Sequence, residues 1–161
     1  GVRSVPLIVV DDALTLVGVI SEDELADRIM TARGPDGDRT IFKSLVDAGR
    51  FSAAAGRLLE GTAHEAFAER WRTSTLESRI GLVLTAEEAL ELSSGALDAL
   101  VPELIEFLES PDAALRGDTA DLLGRIGNPR AIPALEALCD DPVEDVAEVA
   151  SEALDDIRSN R

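Results

Sequence analysis

The chain has 161 residues, of which 45% are hydrophobic, and a formal net charge of −17 with a sequence pI near 4.3. That balance argues against binding to a phosphate backbone. A single cysteine leaves no internal disulfide or thiolate cluster, and the absence of tyrosine with few other aromatics argues against a base-stacking surface.

In chain order, "SVPLIVV" and "ALTLVGVI" are β-branched, apolar runs separated by Asp11 and Asp12. They predict a β-hairpin with an acidic turn. Ser21 with Glu24 three residues on forms a capping box, so a helix is expected after it with Leu25, Ile29 and Met30 on its apolar side. Residues 34–38, Gly-Pro-Asp-Gly-Asp, read as a closing loop. Residues 40–48 and 51–60 then read as two short helices parted at Gly49. Helical spacing resumes near His64 and continues to residue 92, where Ser93, Ser94 and Gly95 mark a longer loop.

From residue 98 onward the helices are sharply punctuated. Residues 98–109 carry Leu100, Val101, Leu104, Ile105 and Leu108 at helical spacing. Pro111 breaks the chain, and residues 113–126 follow with Leu115, Thr119, Leu122, Leu123 and Ile126 on one side. Gly127-Asn128-Pro129 ends that helix. Residues 130–139 and 143–158 form the next two helices, with Asp140-Asp141-Pro142 between them. Linkers this short make consecutive helices antiparallel neighbours.

The last four helices are one unit written twice. At an offset of 31, Pro102 maps to Pro133, Leu104 to Leu135, Phe107 to Leu138 and Leu108 to Cys139. Pro111 maps to Pro142, Leu115 to Val146, Leu123 to Leu154 and Ile126 to Ile157. A weaker copy lies upstream at an offset of 37: Phe67 maps to Leu104, Trp71 to Leu108, Ser74 to Pro111, Arg79 to Arg116 and Ala86 to Leu123. A fixed period of this size predicts stacked helix pairs, none able to bury its apolar face alone. The expected fold is therefore mainly α: an α-solenoid of about three helix pairs over residues 63–161, linking helices over 34–62, and a hairpin plus helix over 1–33.

The stretches "LVPELIEFLESPDAALRGDTADLLGRIGNP" and "AIPALEALCDDPVEDVAEVASEALDDI" resemble HEAT repeats, specifically the short repeats of bilin-lyase-like proteins. The resemblance spans roughly residues 63–158. It implies a ladder in which an Asp in each intra-repeat turn pairs with an Arg early in a neighbouring second helix. Arg116 and Asp141 fit those places, whereas Ser110 and Ala147 occupy the other two, so the ladder is expected to be incomplete. It also implies that second helices line the concave side. There Asp118, Asp121, Glu148, Glu152 and Asp155 would form a negative strip for a partner with a basic surface. An ordinary solvated helix face is the plainer reading of the same acids.

The opening "GVRSVPLIVVDDALTLVGVISEDELADRI" resembles the C-terminal half of a thioredoxin fold. The resemblance implies a cis-proline at Pro6 and a Cys-x-x-Cys upstream of this chain, although Leu7 replaces the Thr often found after that proline. The start at Gly1 rather than Met leads us to expect a longer parent sequence. A strand deprived of its sheet neighbour would pair with another copy, so a homodimer through the N-terminal strands is expected.

Catalytic equipment is sparse. His64 is the only histidine and Cys139, at a core position, the only cysteine. His64-Glu65 alone does not supply the several His-Glu pairs that HEAT-repeat di-iron hydroxylases use. No glycine-rich phosphate loop follows a strand, and no cofactor or metal is expected. Arg70, Arg72 and Arg79 flank Trp71 in the least acidic region, where they could bind an acidic partner or neutralise neighbouring carboxylates. The expected function is a non-enzymatic protein–protein interaction scaffold in the cytoplasm, touching neither nucleic acid nor membrane. The alternatives are the tail of a thioredoxin-like disulfide oxidoreductase and a bilin-lyase-like chaperone.

Overall fold

The computed structural model describes residues 7–10, 14–17 and 35–159. Two short strands, β1 (Leu7–Val10) and β2 (Leu14–Val17), pair antiparallel, with Leu7 opposite Val17 and Val10 opposite Leu14. A two-residue-register ribbon of this kind is common to many folds and does not distinguish a thioredoxin half. Pro6, the Asp11-Asp12 turn and the helix expected after Ser21 lie outside the described residues.

Eight α-helices follow among the described residues. They are α1 (Pro35–Asp47), α2 (Phe51–Leu59), α3 (His64–Thr73), α4 (Leu76–Leu92), α5 (Val101–Phe107), α6 (Ala113–Ile126), α7 (Ile132–Leu138) and α8 (Glu144–Ser159). A turn of 3-10 helix leads into α5 (Asp98–Leu100) and another into α7 (Pro129–Ala131). The odd-numbered helices form one layer and the even-numbered helices the other. Within the first layer α1 meets α3, α3 meets α5, and α5 meets the turn that leads into α7. In the second, α2 packs along α4 and α8 along α6.

This is a stack of four helix pairs rather than three. The helices expected to be linkers, α1 and α2, are its first pair. Ile41, Phe42, Leu45 and Val46 of α1 and Ala54, Ala55 and Leu58 of α2 are buried in the same core as the rest. The loop expected at 34–38 is also absent, because α1 begins at Pro35. Proline's fixed φ suits the first helical turn, and the buried stripe from Ile41 to Val46 outweighs the poor helix propensity of Gly37.

The boundaries of the later helices have local causes. Pro102 and Pro133 sit in the first turns of α5 and α7, where a missing N–H costs nothing. Asp112 caps α6 by accepting from the Ala114 N–H at 3.0 Å, and Asp141 accepts from the Val143 N–H at 2.9 Å ahead of α8. Gly127 closes α6 in the left-handed region (φ 72°), its N–H returning to the Leu123 carbonyl at 3.1 Å. Positions related by the repeat are buried together: Leu104 with Leu135, Leu115 with Val146, Leu123 with Leu154, Ile126 with Ile157. At the other end the core is aromatic, with Phe67 stacked on Trp71 (5.7 Å between centroids) and tilted against Phe42 (6.2 Å).

Spacing within the second layer is uneven. Helices α6 and α8 approach closely along their length, while α4 and α6 approach only sparsely. The close approach depends on small residues of α6. A Cβ added to Gly124 would lie 2.8 Å from both Cα and Cβ of Ala153, and one added to Gly117 would rest 3.8 Å from Val146. The offset that matches Arg79 to Arg116 matches Ile80 to Gly117, Val83 to Ala120 and Glu87 to Gly124. Large side chains thus hold α4 away from α6 at the positions where glycine and alanine let α8 close on α6. Helix propensity alone would make glycine-to-alanine changes favourable by about 1 kcal/mol. We predict that Gly117→Ala follows propensity, whereas Gly124→Ala destabilises by about 1–3 kcal/mol through overpacking, read by urea denaturation. Equal gains from both would refute the packing argument.

Candidate interaction surface

Two arginines stitch the pairs together. Arg116 on α6 donates from Nη1 to the Ser110 carbonyl at 2.8 Å, satisfying a backbone acceptor left open after α5. The same guanidinium grips Asp141 in bidentate fashion, Nε to Oδ2 at 2.7 Å and Nη2 to Oδ1 at 2.8 Å. Only 11% and 5% of the two side chains remain exposed, so the pair is a structural rung and not a surface contact. The Arg116 hydrogen bonds, assisted by the Val143 N–H, hold the Asp141 carboxyl below its ordinary range; Asp141 in turn raises Arg116, with Asp112 adding to the field.

Arg79 on α4 repeats the design with a different acid. It donates to the Ser74 carbonyl (2.9 Å) and hydroxyl (3.0 Å), just as its counterpart reaches Ser110. Because Ser110 stands where an acidic rung would be, Arg79 pairs instead with Asp118 of α6. Its guanidinium also lies over Trp71, 5.8 Å from the ring centroid. At 3% exposure Arg79 is not available to a partner, which corrects its grouping with the surface arginines. Trp71 Nε1 donates to the Thr119 hydroxyl at 2.9 Å inside the core. Thr119 fell on the apolar side of its helix in the sequence; its signal was a hydroxyl in an otherwise apolar stripe.

The remaining basic residues near Trp71 neutralise local acids. Arg70 pairs with Asp47, and Arg39 reaches Glu65 and Glu69 at 3.3 and 3.1 Å. His64 Nε2 lies 3.3 Å from the Ala96 carbonyl and ties α3 to the loop before α5. Cys139 is half-buried, its thiol 3.4 Å from the Leu135 carbonyl. Among the described residues no three His, Cys, Asp or Glu side chains converge in a metal-binding group, and no helix is long and apolar enough to cross a membrane.

The five acids proposed as a strip separate into two sets. Asp118 is engaged by Arg79, and Asp121 by Arg125 at 2.9 Å, so neither is a free carboxylate. Arg125 also pairs with Glu87 across the α4–α6 gap; its pKa is raised by the Asp121 hydrogen bond first, then by the fields of Asp121, Glu87 and Asp156. Glu148, Glu152 and Asp155 fall on one exposed face of α8, and none joins an ion pair among the described residues. The tertiary structure therefore leaves three of the five free.

The gap between α4 and α6 is a cleft of about 320 Å³. Its apolar wall is α4, where Ile80 is 58% exposed and Leu84 38% exposed, with Val83 half-buried between them. Glu87, Asp118 and Asp121 complete the lining. These apolar residues escaped the sequence reading, although the signal was present: Ile80 and Leu84 occupy places held by Gly117 and Asp121 in the next unit.

Residues 84–155 match the family model described as HEAT repeats. The match runs from mid-α4 into α8 and supports the HEAT-repeat assignment of that segment; it reaches neither α1–α3 nor the N-terminal strands, and lends no support to the thioredoxin resemblance. No curated protein and no solved structure matches the chain.

Two outcomes test this geometry. Thr119→Val keeps the shape but strands the Trp71 N–H, so we predict a loss of about 1–3 kcal/mol. Denaturation followed by Trp71 emission reads it directly, since Trp71 is the only tryptophan and tyrosine is absent; an unchanged midpoint would refute it. For the rung, a depressed carboxyl pKa contributes stability that is complete above the ordinary value of 3.8 and is lost as pH falls through the lower folded value. Asp141→Asn is therefore expected to lower Tm at neutral pH, with the difference from wild type closing only in strong acid. A difference independent of pH would sink the ion-pair account.

Proposed function

We propose that the chain is a non-enzymatic scaffold that binds another protein through the exposed face of its second helices. The observation that carries this reading is the row Glu148, Glu152 and Asp155 on α8. These acids are exposed and free of ion pairs among the described residues, on a stack whose other acids on that layer, Asp118 and Asp121, are already paired. A stack of helix pairs holds such a row rigid, which limits the ordering entropy lost on binding. Unpaired carboxylates at that spacing favour a partner with a basic surface and accelerate its approach. HEAT repeats are commonly interaction surfaces, which agrees with the family match. A cytoplasmic location belongs to the same reading and rests on the single cysteine. Nothing among the described residues favours the oxidoreductase-tail or bilin-lyase reading.

The test is affinity capture from host lysate with wild type and with Glu148→Lys, Glu152→Lys and Asp155→Lys combined, quantified by mass spectrometry. A partner retained by wild type, lost from the triple variant and released by salt is the expected result. Circular dichroism checks that the variant keeps its helices. If wild type enriches nothing beyond an unrelated acidic protein, the scaffold reading fails.

A further inference from the structure

The cleft between α4 and α6 stands out from the rest of the second layer. Where Gly117, Ala120 and Gly124 let α8 seat against α6, their counterparts Ile80, Val83 and Glu87 keep α4 and α6 apart. The apolar side chains that hold the gap open are themselves left in water: Ile80 at 58% and, one turn on, Leu84 at 38%. Two large apolar residues one helical turn apart, beside a half-buried valine, match the anchor spacing of an apposed helix.

Charge decides between occupants. Asp118 is neutralised by Arg79, which is buried beneath the surface. The outer rim then has Glu87 and Asp121 sharing one guanidinium, Arg125, with the Asp156 carboxylate also in its field. The rim is thus net negative. A second copy of a chain of charge −17 would bring like charges together across the cleft, which is unfavourable. A basic helix meets both the apolar wall and the acidic rim.

We infer that the α4–α6 cleft docks a basic amphipathic α-helix of a partner protein, its large apolar residues seated on Ile80 and Leu84 and its Lys or Arg residues facing Glu87 and Asp121. This deepens the scaffold reading and rests on it for the idea that the chain binds a protein at all. The site itself is separate from the α8 row: Glu148, Glu152 and Asp155 do not line the cleft.

The experiment uses a fluorescein-labelled synthetic leucine–lysine helix of roughly five turns, titrated by anisotropy into the full chain. One comparison peptide replaces leucine with serine, and another replaces lysine with glutamate. The protein variant is Ile80→Ser with Leu84→Ser, both exposed positions, with Tm confirming the fold. The inference expects the leucine–lysine probe to bind wild type at least about tenfold more tightly than the variant. The serine–lysine peptide should bind both proteins alike and weakly, and the glutamate peptide neither. Equal affinity of the leucine–lysine probe for wild type and variant would mean only general attraction to an acidic chain, and overturns the inference. So does absence of binding, or a wild-type dimer that the variant converts to monomer, which would put a second copy in the cleft. Any of these leaves lysate capture by the α8 row untouched. Conversely, failed capture alongside probe binding that depends on Ile80 and Leu84 would remove the α8 row while the cleft stands.

Discussion

The approach of neighbouring second helices is set by the side chains at their contact line, and the rest of the stack follows from it. At Gly124 there is no room for a methyl group, because the Ala153 backbone already lies where it would go. This closeness lets Val146, Ala150, Ala153, Leu154 and Ile157 of α8 complete a core that α6 and α7 could not close alone. One unit earlier the same line carries Ile80, Val83 and Glu87, and the layer opens. A difference of a few side-chain volumes therefore produces a sealed seam at one step and an accessible cleft at the next, since packed interiors do not deform continuously.

Where the layer opens, polar groups bridge the two sides. Arg79 and Asp118 join α4 to α6, and Trp71 donates to Thr119 deeper in. These contacts fix the spacing that bulky residues would otherwise leave loose, and each buried donor has an acceptor. Arg116 and Asp141 fill the equivalent place between the last two units. Both arginines also satisfy the serine carbonyl at the end of the preceding helix, so one side chain terminates a helix and joins two repeats. Changing the acid from a turn position, Asp141, to a helix position, Asp118, preserves this double role although Ser110 cannot supply a charge.

Much of the architecture was legible because its causes are local or periodic. The matched pairs Leu104/Leu135 and Leu123/Leu154, the prolines at 102 and 133, and Gly127 place α5–α8 by spacing and backbone preference alone. Arg79 aligned with Arg116, and Trp71 with Leu108, before any contact was known. The first helix pair was less legible. Gly-Pro-Asp-Gly-Asp at 34–38 has the composition of a loop, and only burial of Ile41, Phe42, Leu45 and Val46 against the neighbouring helices makes it the start of α1. Thr119 was hidden for a related reason: a threonine within an apolar stripe declares no partner until Trp71 is brought beside it.

The sequence by itself determined that helices pair and stack, where most begin and end, that the surface is strongly acidic, and that Arg116 would meet Asp141. All of these depend on residue spacing, on backbone preferences at proline and glycine, or on charge counting. Tertiary structure alone decided that the stack holds four pairs, which acids remain free, and where the layer opens. Asp118 and Glu148 are alike in sequence terms, both charged residues on the outer side of a second helix. They differ because Arg79 comes within reach of one, across 39 residues of chain, and no described cation within reach of the other. Long-range proximity of that kind is a property of packing, and no local pattern encodes it.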